Sequence, residues 1–127
     1  MVGAHLSGMP LNGELTAHGA RRVATAETAA DYRLYALAEA GTRKPGLLRV
    51  ASGAGAAIVV EIWSLPADGF GRFVAAVPPP LSIGTLELKD ERSVKGFLVE
   101  AEAVADARDI SSFGGWRAFT AKEKASA

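Results

Sequence analysis

Along DYRLYALA, Tyr32, Leu34 and Ala36 alternate with Arg33, Tyr35 and Leu37, a period of two that predicts a strand with two differently dressed faces. GLLRVA predicts a second, shorter strand, reached through the turn-rich connection AGTRKPG. After the flexible loop ASGAG, the run AAIVVEIWSLP is dense in β-branched residues and closed by Pro66, and it predicts the strongest strand of the chain. The period then changes. In ADGFGRFVAAVPPPL, Phe70, Phe73, Val74 and Val77 recur at helical spacing, Asp68 stands near the start, and Pro78 to Pro80 stop the run, which predicts a helix. IGTLELKDERSVKGFLVEAE returns to strands and reads as a hairpin around the polar turn KDERS.

Upstream, Asn12 is placed to cap a short helix through GELTAHGARR. Glu14 lies in its first turn and Arg21 and Arg22 in its last, the charge order that a helix dipole favours. VATAET follows. At the other end, EAVADARDISSFGGWRAF closes the domain and AKEKASA reads as a solvated, frayed tail. Strands outnumber helices, and several neighbours are joined by short turns. The expected fold is α+β, built on a mostly antiparallel or mixed sheet that could curl into a barrel, in one domain over residues 1–120 with a flexible tail at 121–127.

A chain of 127 residues is about one domain's worth, enough for a core without a disulfide or metal staple. Lys plus Arg and Asp plus Glu both number 14, so no net field gathers nucleic acid or an anionic membrane surface. The absence of cysteine excludes a thiol nucleophile, a disulfide framework and Cys-ligated zinc. MVGAHLSG lacks the basic and long apolar regions of a signal peptide, and AAIVVEIWSL, interrupted by Glu61, is too short to span a bilayer. Composition therefore predicts a soluble cytoplasmic protein with no nucleic-acid or membrane partner.

No GxxxxGKS, HExxH or EF-hand spacing occurs, and His5 and His18 fall on different elements, so neither a metal site nor a cofactor is expected. Chemistry concentrates in VGAHLSGMPLN, a strand breaking into a loop. Gly3 and Gly8 allow close backbone approach, so that N–H groups could line up on an anion beside His5. The alternative is a tight connection in which His5 points to solvent or bonds a carbonyl. His18 reads as a surface histidine, and Ser111-Ser112 after Asp109 as a hydrogen-bonded turn.

Glu61 is a carboxylate in the most apolar strand. Facing a cavity, it would have its pKa raised by burial and could act as acid or base; turned outward, or paired with a cation such as Lys95, it would be structural. Lys95 poses a matching choice between edge-strand gatekeeper and anion contact. FGGWRAF has a composition suited to closing over a pocket with Trp116 and Arg117; equally, Trp116 and Phe119 at helical spacing would plug the core.

Seven blocks in order, VGAHLSGMPLN, YRLYAL, KPGLLRVA, VEIWSLP, GRFVAAVPPPLSIGTLEL, VKGFLVEA and DISSFGGWRAF, resemble the C-terminal domain of bacterial and fungal allophanate hydrolases, from Val2 to about Phe119. The resemblance implies a γ-glutamyl cyclotransferase-like fold, a small mixed, mostly antiparallel β-barrel with flanking helices, whose anion-binding loop follows the first strand. VGAHL matches the loop motif close to Tyr-Gly-Ser-Leu, which makes Gly3, Ala4, His5 and Leu6 the backbone cradle. AAVPPPL stands where cyclotransferases carry a catalytic glutamate, and without that carboxylate the cyclotransferase reaction is not expected.

In allophanate hydrolases an amidase domain releases ammonia from allophanate, and the C-terminal domain is thought to decarboxylate the resulting N-carboxycarbamate. By resemblance, His5 is then the proton donor, suited by an imidazole pKa near working pH. Gly3, Ala4, Leu6, Glu61 and Trp116 would surround the small anionic substrate, with Lys95 and Arg117 neutralising it. The chain shows no serine-rich amidase signature, so amide hydrolysis is not expected of it. The other reading is a non-catalytic small-ligand-binding or assembly domain that docks onto a separately encoded amidase through Trp63, Phe113 and Trp116, and a homodimer is a further assembly open to it.

Overall fold

In the computed structural model, which describes residues 1–37 and 43–126, the alternating run at Tyr32 is the central strand of a three-stranded antiparallel sheet. This strand, β2 (Tyr32–Ala36), lies between β3 (Pro45–Arg49) and β7 (Arg108–Asp109), with Leu34 opposite Leu47 and Tyr35 opposite Asp109. Tyr32 and Leu34 are fully buried on one face, while Arg33 on the other reaches across to Asp109. That is the alternation expected from the sequence. Of the connection AGTRKPG, residues 40–42 lie outside the described residues, and Pro45 and Gly46 open β3.

β1 (Arg21–Glu27) pairs with β4 (Val59–Ser64), the register shifting between Arg22 and Ala24. β5 (Leu81–Glu87) and β6 (Ser93–Val99) form the expected hairpin in unbroken register, its turn tied by the Arg92 N–H donating to Asp90 at 3.1 Å. These sheets are not closed into the expected barrel. Thr28–Leu88 and Tyr32–Ala56 are isolated bridges, and β3 meets β6 through packing, with Gly46 so close to Val99 that a Cβ would come within 2.9 Å of its side chain. Side chains rather than a hydrogen-bonded ladder fill that seam, so among the described residues the sheets stay open.

Two helix boundaries also differ from expectation. α1 spans Asn12–Ala17 only; Gly19, at φ 81°, ends it, and Arg21 and Arg22 open β1, where β4 claims the β-branched run. Asn12 does not cap this helix with its side chain, and its Nδ2 donates instead to the His5 carbonyl at 2.9 Å. α2 (Ala67–Ala75) follows Pro66 as expected, burying Phe73 but leaving Phe70 37% exposed. α3 runs Trp116–Ser126, so residues 121–126, read as frayed tail, are helical, with Glu123 paired to Arg43. Ala, Lys and Glu are strong helix formers, and their polarity hid this in the sequence.

The larger core packs Tyr32, Leu34, Leu47, Ile58, Trp116 and Phe119 between the sheets and α3. A smaller cluster of Leu15, Ala20, Phe73 and Phe97 lies beneath α1 and α2. Among the described residues no helix is long and apolar enough to cross a membrane.

Candidate functional site

Residues 2–11 form consecutive turns rather than a strand and loop. Leu6 N–H donates to the Gly3 carbonyl at 2.9 Å and Leu11 N–H to the Ala4 carbonyl at 2.8 Å, while Ser7 N–H is taken by the Glu61 carboxylate. The expected open cradle is therefore partly spent on internal bonds. Gly3, Ala4 and Leu6 are buried, and a Cβ on Gly3 would lie 2.2 Å from the Pro45 ring, so this glycine serves close approach to β3.

The same turns aim His5 inward. Only 9% exposed, its ring stacks on Phe97 at 5.2 Å and meets Phe73 edge-on at 5.2 Å. His5 Nε2 lies 2.8 Å from Glu14 Oε1, and against a carboxylate acceptor it is this nitrogen that carries the hydrogen and donates. Burial lowers the His5 pKa below its ordinary 6.5; the Glu14 hydrogen bond and charge work against that, Lys44 works with it, and the net direction is down.

Beside this ring is a cavity of about 380 Å³, lined by His5, Glu14, His18, Lys44, Phe73 and Phe97, with Ala76, Val77 and Pro78 as further apolar wall. Here the structure brings together groups that the sequence left apart. Glu14 read as a helix-end charge, His18 as a surface residue, and Lys44 as part of a connection. The only sequence signal for Lys44 was its place at the head of the KPGLLRVA block.

Glu61, Lys95, Trp116 and Arg117 are not gathered around His5. Glu61, 5% exposed, accepts from Ser7 N–H and Oγ, both at 2.8 Å, from Trp63 Nε1 at 3.1 Å and from Arg117 at 3.1 Å, with Arg22 at 3.7 Å. Burial pushes its pKa up, but the Ser7 and Trp63 hydrogen bonds and the Arg117 charge prevail, and the net shift is downward from 4.5. Of the two readings of Glu61, the raised acid or base does not hold and the cation-paired carboxylate does, with Arg117 as the cation. Lys95 is not the partner, because Lys95 Nζ donates to Thr85 Oγ1 at 2.7 Å across the hairpin.

Glu61 and Lys95 do line one separate cavity of about 370 Å³, which shares the Phe97 wall with the His5 cavity. Trp116 is core, 5.4 Å from Phe119 ring to ring, and with Leu6, Glu61 and Arg117 it also lines a cavity of about 540 Å³ away from His5. Arg117, on the exposed face of α3, donates to the Ser7 carbonyl at 2.9 Å. Ser111 behaves as the turn reading expected, with its N–H on Asp109 at 2.9 Å and its Oγ accepting from Leu34 N–H. Among the described residues no three His, Asp or Glu side chains are grouped to hold a metal ion.

Fold and site together define a small α+β domain whose opening turns bury one histidine against a carboxylate in a phenylalanine-walled cavity. The chain belongs to the allophanate hydrolase C-terminal domain family, which matches residues 1–121. It is 39% identical to urea amidolyase of Saccharomyces cerevisiae over 94% of its own length, yet spans only 7% of that protein. Among solved structures it is similar to Kluyveromyces lactis allophanate hydrolase, with a TM-score of 0.92 and 41% identity over 95% of this chain and 20% of that one. It is also similar to a uropathogenic E. coli-specific protein of comparable size, with a TM-score of 0.86 and 34% identity over 94% of this chain and 91% of the other.

Proposed function

We propose that the domain binds a small dicarboxylate in the His5 cavity and decarboxylates N-carboxycarbamate, with His5 as the proton donor, within urea and allophanate nitrogen metabolism. The carrying observation is the enclosure of His5 between Phe73 and Phe97, with Glu14 on its Nε2 and Lys44 lining the same cavity. In the reaction one carbon–nitrogen bond of the dianion breaks, carbon dioxide leaves, and the electron pair stays on nitrogen. That nitrogen takes the His5 proton to give carbamate, and His5 recovers a proton from solvent.

The apolar walls weaken solvation of the departing carboxylate, whose charge disperses as the bond breaks. Lys44 and protonated His5 outweigh Glu14 by one charge, which favours an anion. Burial holds the free His5 below its ordinary pKa, and an incoming dianion raises it, so the protonated donor forms where substrate is bound. Gly3, Ala4 and Leu6 support the loop in this reading, while Glu61, Lys95, Trp116 and Arg117 stay outside direct substrate contact. An amidase, on the same or a separate polypeptide, supplies the substrate, and the setting is cytoplasmic.

Malonate, with a methylene in place of the N–H, is a stable probe of the binding step. Calorimetry is expected to detect malonate binding, weakened about tenfold in Lys44→Ala, or ~1.4 kcal/mol. Equal affinity of wild type and Lys44→Ala would remove Lys44 from the site.

A further inference from the structure

We infer that Glu61 is a positioning residue for His5: from β4 it grips Ser7, two residues along the loop, and so fixes the imidazole in its cavity. The bonds that the His5 turns make to one another, Ala4 to Leu11 and His5 to Asn12, all fall within the first twelve residues. They shape the loop without fixing it to the sheet, which the segment meets at its start through Met1, whose amino group donates to the Glu61 carbonyl at 2.7 Å and whose carbonyl accepts the Glu61 N–H at 2.8 Å. The side-chain anchor comes from 54 residues away, where one Glu61 oxygen accepts Ser7 N–H and the other accepts Ser7 Oγ. Arg117 completes it by donating to both the Ser7 carbonyl, at 2.9 Å, and Glu61, at 3.1 Å.

A carboxylate buried in a strand costs desolvation that an apolar residue of similar volume would not, so the Glu61 cluster is a poor device for stability alone. Its geometry suits a different purpose. It holds one end of the short segment that carries His5, and displacing a reacting group by about 1 Å can cost on the order of 100-fold in rate. Glu61 makes no contact with the His5 cavity itself, so it acts through the loop.

The activity arm of the test rests on the decarboxylation reading, while the structural arm does not. In Glu61→Gln the side-chain amide presents hydrogens where Ser7 Oγ and Arg117 now donate, so the grip loosens while volume is kept. Ser7→Ala is the milder companion, leaving the carboxylate, its arginines and the Ser7 N–H bond in place. For each variant the His5 ring titration is followed by NMR, and carbon dioxide release from N-carboxycarbamate is measured per folded molecule.

The expected result is a His5 midpoint that rises toward 6.5 as water reaches the ring. It is accompanied by a kcat about tenfold lower in Glu61→Gln and about threefold lower in Ser7→Ala, with KM within about twofold. Folded variants with a lower Tm but unchanged His5 titration and kcat would overturn the inference. If Glu61→Gln does not fold, Ser7→Ala decides by the same criteria. If wild type and His5→Ala release carbon dioxide equally, the decarboxylation reading fails and the titration alone decides the role of Glu61.

Discussion

Two opposing effects meet on His5: burial between two phenylalanine rings disfavours the imidazolium, and Glu14 favours it. Burial prevails, so the unfolded chain takes up the proton first as pH falls. The contribution of His5 to stability is therefore complete above pH 6.5 and is lost in the window just below it. Urea unfolding across about pH 5 to 8, compared between wild type and His5→Gln, checks this, since the Met1 amino group, which burial lowers from 8.0 to about 6, loses stability over part of the same range in both proteins. Glu61, depressed below 4.5, contributes stability above that value and loses it only under more acid conditions, so the two windows separate. Glu14→Gln removes the group that opposes burial, and the His5 midpoint by NMR is expected to fall further. At this scale residue type was informative and partnership was not. A lone imidazole beside glycines and a lone carboxylate in an apolar strand stand out in the sequence, whereas Lys44 reaches His5 only through the fold.

Secondary structure was most legible where the period was long and uninterrupted, as in β2, the β5–β6 hairpin and α2. It failed at α1, where a dipole-favoured order of charges extended the helix past Gly19 into a strand that pairs with β4. Local charge order is worth less than a β ladder, and only the fold reveals the ladder. α2 offers a paired test of how tightly the helices enclosing the cavity are packed. A Cβ at Gly69 would lie 2.4 Å from the His18 carbonyl oxygen, a backbone atom that cannot swing away. Gly69→Ala is therefore expected to destabilise by about 1–3 kcal/mol as α2 is pushed from the end of α1. Gly71, two residues on, meets nothing within 4 Å, and Gly71→Ala is expected to stabilise by about 0.5–1 kcal/mol through helix propensity. Thermal unfolding of the two variants checks both signs.

For the molecule as a whole, the alternation that identifies strands carries no information on whether a sheet closes. Closure depends on the seams between the three sheets, and at the one between β3 and β6 Val99 packs on Gly46 without a ladder, so among the described residues the sheets stay open. The two clusters divide the work of the domain. The larger carries much of the stability, so Phe119→Ala, at a fully enclosed position remote from the His5 cavity, is expected to cost about 3–5 kcal/mol in urea unfolding. The smaller, with Phe73 and Phe97, is both core and cavity wall. The family was legible in seven ordered blocks across nearly the whole chain, because such blocks sample core, turns and site together.

The most direct test of the central claim is carbon dioxide release from N-carboxycarbamate generated in place by an amidase acting on allophanate. The intact chain is expected to accelerate release above the spontaneous rate and His5→Ala to return it to that rate; equal rates with the two proteins would contradict the role assigned to His5.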